Sequence, residues 1–120
     1  MIELERSQAH LPELAGEPVA LAAITASELM HGVHRADTAS RRERRRAFVE
    51  SILARVPVLA FDLEVARLHA QIWADLRSRG EQIGAHDMMI AATALHHELR
   101  LLTRNEREFH RVAGLELAGM

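Results

Sequence analysis

"IGAHDMMIAATAL" (83–95) decides how this chain is read. Beyond Gly84 it is almost wholly apolar or small, and its one carboxylate, Asp87, stands near the front. "AHDMMIAATALHHE" (85–98) is long enough for a helix, and a helix apolar on nearly every side belongs inside a core. An acid in its first turn is favoured by the helix dipole, which accounts for a lone Asp without any chemistry. A functional reading of Asp87 therefore needs companions.

On either side, short apolar runs alternate with amphipathic segments. "VALAAI" (19–24), "PVLAF" (57–61), "LRLLT" (99–103) and "LEL" (115–117) read as strands, the continuous runs being covered on both faces. "TASELMHGVHRA" (25–36) reads as a helix with Thr25 or Ser27 near its start. "SRRERRRAFVESILARV" (40–56) is a second, with Ser40 as N-cap and Glu43 completing a capping box. Asp62 caps a third, "LEVARLHAQIWADLRSR" (63–79), which Gly80 ends. Its apolar stripe runs Val65, Leu68, Ile72, Trp73 and Leu76. Trp73, Met88 and Met89 are expected to be packing residues. "IELERSQAH" (2–10) reads as a helix or the tail of one, followed by the turn "GEP" (16–18). Strands alternating with helices predict an α/β fold, a parallel sheet with helices on its faces, as one domain over 1–120.

Composition narrows the function. With no Cys among 120 residues there is neither a disulfide framework nor thiolate chemistry, and a cytoplasmic location is expected. No apolar run has the length of a membrane span. The net charge of −2 gives no global attraction to nucleic acid, so any such contact must be local. All fifteen basic residues are Arg, each able to grip a phosphate through two bonds.

In parallel sheets, sites form beyond the carboxyl ends of the strands. Glu28, Asp87 and Glu108 each fall just after a strand or at a helix start. Each alone is an ordinary surface or helix-end acid. Gathered together they would repel, unless one takes up a proton or a cation joins them. A hard ion, Mg²⁺ or Mn²⁺, suits oxygen donors and can activate water against a phosphodiester.

Three segments carry a family likeness: "ITASELMHGV" (24–33), "IGAHDMMIAATAL" (83–95) and "LLTRNEREFHRVAGLEL" (101–117). They resemble PIN-domain proteins and, more narrowly, VapC-type toxins of bacterial toxin–antitoxin pairs. The resemblance implies an α/β/α sandwich and a Mg²⁺- or Mn²⁺-dependent endoribonuclease acting on structured RNA, tRNA or ribosomal RNA. It implies that Asp87 and Glu108 bind metal, and that Glu28 binds metal or orients the attacking water. Asn105 and Thr103, of the T-x-N motif, would order the site. It also implies a small antitoxin partner and a homodimer built through helices.

The chain departs from that pattern at its start. The family opens on a strand ending in Asp, whereas residues 1–6 read as a helix already under way. The sequence therefore predicts that the first, central strand and its acid are missing. That leaves a natural protein longer by one strand, or an inactive remnant that still binds antitoxin or RNA.

"RRERRR" (41–46) supplies Arg41, Arg42, Arg44, Arg45 and Arg46, either a solvated helix face or a grip for RNA phosphates. Two His pairs, His31/His34 and His96/His97, lack a third zinc ligand and read as ordinary histidines. His86, beside Asp87, could touch RNA, but nothing in the sequence assigns it that role.

Overall fold

The computed structural model describes residues 18–118 and the backbone of residues 2–4. The strands are β1 (Ile2–Leu4), β2 (Val19–Ala22), β3 (Val58–Leu59), β4 (Arg100–Leu102) and β5 (Leu117–Ala118). The helices are α1 (Ala23–His34), α2 (Ala39–Arg55), α3 (Leu63–Ser78), α4 (Ala85–His96) and the short α5 (Glu106–Phe109). The strands form one sheet in the order β3-β2-β1-β4-β5, every pairing parallel.

Adjacent residues of one strand feed opposite faces of this sheet. Leu21, Leu102 and Ala118 pack with Ile52 and Val56 at the end of α2. Ala22 and Leu101 pack with Val65, Ile72 and Leu76 of α3 and with Ile90, Ala91 and Ala94 of α4. Two covered faces are why β2 and β4 read as unbroken apolar runs rather than alternating ones. Ala91, Ala92 and Ala94, all fully buried, let α4 lie close against its neighbours.

The expectation of a missing central strand is overturned. Ile2–Leu4 is that strand: Leu4 stands opposite both Leu21 and Leu102, and Ile2 opposite Val19 and Arg100. Helix-forming Glu, Leu and Arg around it suggested a helix, but propensity amounts to only tenths of a kcal/mol per residue. Leaving the facing edges of β2 and β4 unpaired would cost about 1–3 kcal/mol for each buried backbone group. The pairing wins. The rest of the expected first helix (5–10) lies outside the described residues, as do Gly16 and Glu17 of the turn and the position after the strand where the first acid was sought.

Helix boundaries follow local chemistry. Asp62 caps α3 as expected, its carboxylate accepting the Val65 N–H at 3.0 Å. Gly80 ends that helix at φ 70°, with Glu81 N–H bonded to Leu76 O (2.9 Å) and Gly80 N–H to Arg77 O (3.1 Å). This is the Schellman closure that a left-handed glycine permits. The cap of α2 is Thr38, not Ser40: Thr38 Oγ1 accepts the Arg41 N–H at 3.1 Å. Glu43, freed from the capping box, pairs with Arg46, whose hydrogen bond holds the Glu43 carboxyl below its usual range. α1 needs no side-chain cap, because β2 runs straight into it at Ala23 and carries Thr25 into the core. Trp73 is not a core residue. The buried stripe is Val65, Ile72 and Leu76, and Trp73 lies off it, 53% exposed.

The sheet reverses direction between β1 and β4, since β2 and β3 build to one side and β5 to the other. A crevice forms outside the strand ends at such a point.

Candidate active site

Two groups of polar side chains stand beyond the carboxyl ends of the strands. The first joins α1 to α4. Glu28, one turn after Thr25 on α1, presents Oε2 at 3.3 Å from His86 Nδ1. The Glu28 side chain is 21% exposed and that of His86 53%. His86 and Asp87 occupy the first turn of α4, behind the N-cap Gly84, which offers no side chain to the free N–H groups. Asp87 is 7% exposed, a carboxylate kept in the positive end of a helix.

The second group follows β4. Thr103 is fully buried, and its Oγ1 accepts the Asn105 N–H at 2.9 Å. Asn105 Nδ2 in turn donates to Glu108 Oε2. Phe109, also fully buried, pins α5 and with it Glu108. An open groove beside this group is lined by Thr103, Arg104, Glu106 and Arg107.

A latch that the sequence did not reveal holds the approach to Asp87. Arg111 Nη1 donates to Gln82 O at 2.5 Å, and Arg79 Nη2 donates to Arg111 O at 2.5 Å. Arg79 also pairs with Asp75 (2.8 Å) and with Glu81. Loop 79–84 is thereby tied to the segment after α5. Arg pairs with backbone carbonyls carry no spacing signal in a sequence. The Glu28–His86 contact was equally hidden, because 58 residues separate its ends.

The structure thus brings Glu28 beside the turn that carries Asp87, and links Thr103, Asn105 and Glu108 to one another. Among the described residues no three His, Asp or Glu side chains form a ready group for one ion. Here Glu28 faces His86 and Glu108 takes Asn105. The donors still suit a hard cation in kind, since they are oxygen atoms and the sequence has no thiol. Mg²⁺ uses one or two carboxylates and completes its shell with water and substrate phosphate. The fully buried Thr25 Oγ1, on the Glu28 face of α1, has no hydrogen-bond partner among the described residues. Buried hydroxyls normally find one, and a water on such an ion would serve.

The arginine run is largely engaged close to home. Arg45 Nη1 donates to Gly32 O (3.0 Å), an open carbonyl at the end of α1, and Arg42 Nη2 donates to Ala36 O (3.0 Å). Arg41 grips both Asp37 oxygens at 2.9 and 3.0 Å. The positive charge at the start of α2 therefore meets the negative end of α1.

Known proteins are similar to this chain in sequence and in fold. The family model for the PIN domain matches residues 3–115. Ribonuclease VapC1 of Rickettsia felis is 39% identical over 94 residues, 78% of this chain and 70% of that protein. The tRNA(fMet)-specific endonuclease VapC of Shigella flexneri is 37% identical over 95 residues, 79% of this chain and 70% of its own length. In three dimensions, a chain of the DNA-bound VapBC structure from Salmonella typhimurium superposes with a TM-score of 0.87 at 28% identity, covering 98% of this chain and 96% of its own. With the parallel sheet, the acid at the head of α4 and the T-x-N turn after β4 all in place, the chain belongs to the PIN-domain family.

Proposed function

We propose that this chain is a metal-dependent endoribonuclease of the VapC type, acting on tRNA or ribosomal RNA and held inactive by a cognate antitoxin. The observation that carries the reading is the buried Asp87 at the head of α4, with Glu28 brought beside it through His86. The names of its ribonuclease relatives support the activity, and the VapBC assembly supports the partner.

Asp87 and Glu28 would hold Mg²⁺ or Mn²⁺, with Glu108 as a further ligand. The ion, when bound, neutralises charge on the phosphodiester and makes its water a better nucleophile. Alternatively, Glu28 would orient that water instead of binding the ion. Thr103 and Asn105 keep Glu108 in place through the two hydrogen bonds described above. Of the run Arg41, Arg42, Arg44, Arg45 and Arg46, Arg44 would meet an RNA phosphate along α2, where Arg41, Arg44, Arg45 and Phe48 line an open groove, and the others would do so by exchanging their present partners. A homodimer and a cytoplasmic setting belong to the same reading. Among the described residues no helix is long and apolar enough to cross a membrane. The inactive-remnant reading loses one of its two supports, because β1 supplies the central strand whose loss it assumed, while the position of the first acid lies outside the described residues.

Asp87→Asn tests the proposal. RNA cleavage with Mn²⁺ should fall by at least about 100-fold, the scale of losing a group that stabilises transition-state charge. Circular dichroism and melting temperature should stay close to wild type. Cleavage at the wild-type rate in a folded variant would remove Asp87 from the mechanism.

A further inference from the structure

We propose that Trp73 and the groove beside it form a stacking subsite for an unpaired nucleobase of the RNA, next to the cleavage site. The inference rests on the ribonuclease reading above and names where its substrate lies.

A groove of about 350 Å³ runs between α3 and the head of α4, lined by Trp73, Arg77, Gln82, Ile83 and Met88 among others. Gln82 and Ile83 immediately precede Gly84, and Met88 immediately follows Asp87. The groove therefore flanks the turn that carries Asp87. Trp73 is 53% exposed, although indole is among the costliest side chains to leave in water. Its ring packs against His69, at 5.9 Å between ring centroids and 62° between planes. A flat, half-exposed aromatic held by a second ring is what an unstacked base requires.

The charge around it fits the same ligand. Arg77 lies in the groove, and Arg79 and Arg111 surround its rim residue Glu81. Against those three guanidiniums stand Glu81 and Asp75, both already paired with Arg79, so the rim keeps a positive excess for a backbone phosphate. Gln82 adds an amide that can hydrogen-bond a base edge. A second copy of this chain is the competing occupant. The buried centre of a protein–protein interface is depleted in charge, whereas this groove mixes an arginine, a glutamate and an amide around one indole.

Trp73 is the sole tryptophan, so its fluorescence reports this groove alone. A dye-labelled, mixed-sequence single-stranded oligoribonucleotide is titrated into the chain in EDTA, which prevents cleavage. Dye anisotropy and tryptophan emission are followed together. Saturable quenching that tracks the anisotropy is expected. Trp73→Ala should weaken binding by roughly 5- to 150-fold, the range for losing one stacked base, and Trp73→Phe should recover most of it. Binding by anisotropy with unchanged emission, and equal affinity in Trp73→Ala, overturns the subsite while leaving the nuclease reading intact. No RNA binding at all, with no cleavage of RNA when Mn²⁺ is restored, sinks both. Emission that follows protein concentration instead of RNA, with dissociation of a sedimenting dimer by Trp73→Ala, overturns the subsite and gives the face to a second copy.

Discussion

His86 Nδ1 lies 3.3 Å from Glu28 Oε2 and fastens the second turn of α1 to the first turn of α4. The two residues come from different helices. Glu28 follows β2 by several residues, and His86 projects from a turn whose N-cap makes no side-chain bond. The contact aims one carboxylate at the turn that carries the other.

Removing it should cost function more than stability. Partners that orient a ligating group typically cost 10–100-fold in activity or metal affinity when lost. Since His86 is half exposed, His86→Ala is expected near the lower end, about tenfold. His86→Asn, which keeps a side-chain N–H donor, should recover part of the loss. Single-turnover cleavage, and the Mn²⁺-dependent rise in melting temperature, measure the two halves. An alanine variant indistinguishable in both would reduce the contact to a surface pair.

The arginines of α2 should separate by what they touch. Arg45 bonds the open Gly32 carbonyl, so Arg45→Ala should lower stability by about 1 kcal/mol, the usual net worth of such a bond. Arg44→Ala should leave the melting temperature nearly unchanged and reduce the salt slope of RNA binding by roughly 0.7–0.9 if Arg44 meets one phosphate. Urea melts and binding measured across a salt series give each quantity. A stability loss in Arg44→Ala equal to that in Arg45→Ala would contradict the division.

How much of this was legible beforehand depended on the range of each interaction. Asp62 and Gly80 were readable because a cap and a left-handed closure act within four residues. β2, β4 and α4 were readable because burial leaves a periodic or continuous apolar pattern. β1 was misread since three residues carry no pattern, and only the two edges waiting for them decide their conformation. Ser40 lost the cap to Thr38 over a two-residue shift that composition does not resolve. Trp73 was counted into the α3 stripe, because a 100° step from Ile72 separates the core side from the solvent side. At the site, the acids Glu28, Asp87 and Glu108 were visible as residues. Their local donors, His86 and Asn105, were assigned only by three-dimensional proximity or by family likeness.

Asp62 gives the cleanest stability test, because its carboxylate caps α3 and belongs to neither polar group of the site. Its carboxylate satisfies the Val65 N–H at the start of the helix that carries Val65, Ile72 and Leu76 into the core. Asp62→Ala should cost about 1 kcal/mol, and Asp62→Asn or Asp62→Ser much less. For a chain of this size that is about 4 °C in melting temperature. RNA cleavage by the folded variant at room temperature should be unchanged. Equal losses in Asp62→Ala and Asp62→Asn would mean that charge, not the cap, stabilises α3.

His69 makes the stability of α3 depend on pH. It sits between Phe61 (centroids 5.5 Å apart) and Trp73 (5.9 Å), and burial among these rings lowers its pKa below the ordinary value of 6.5. The unfolded chain therefore binds its proton at a higher pH than the folded one does. Stability tied to His69 is fully present above about pH 6.5, and falls as the pH drops from there toward the depressed folded pKa. Below that value both states are protonated and the loss levels off. His69→Phe keeps the ring stack and removes the proton, so its urea midpoint should decline less than that of wild type between neutral and mildly acid pH. Parallel curves for the two proteins would show that His69 titrates alike in both states, and would exclude the stack as the cause.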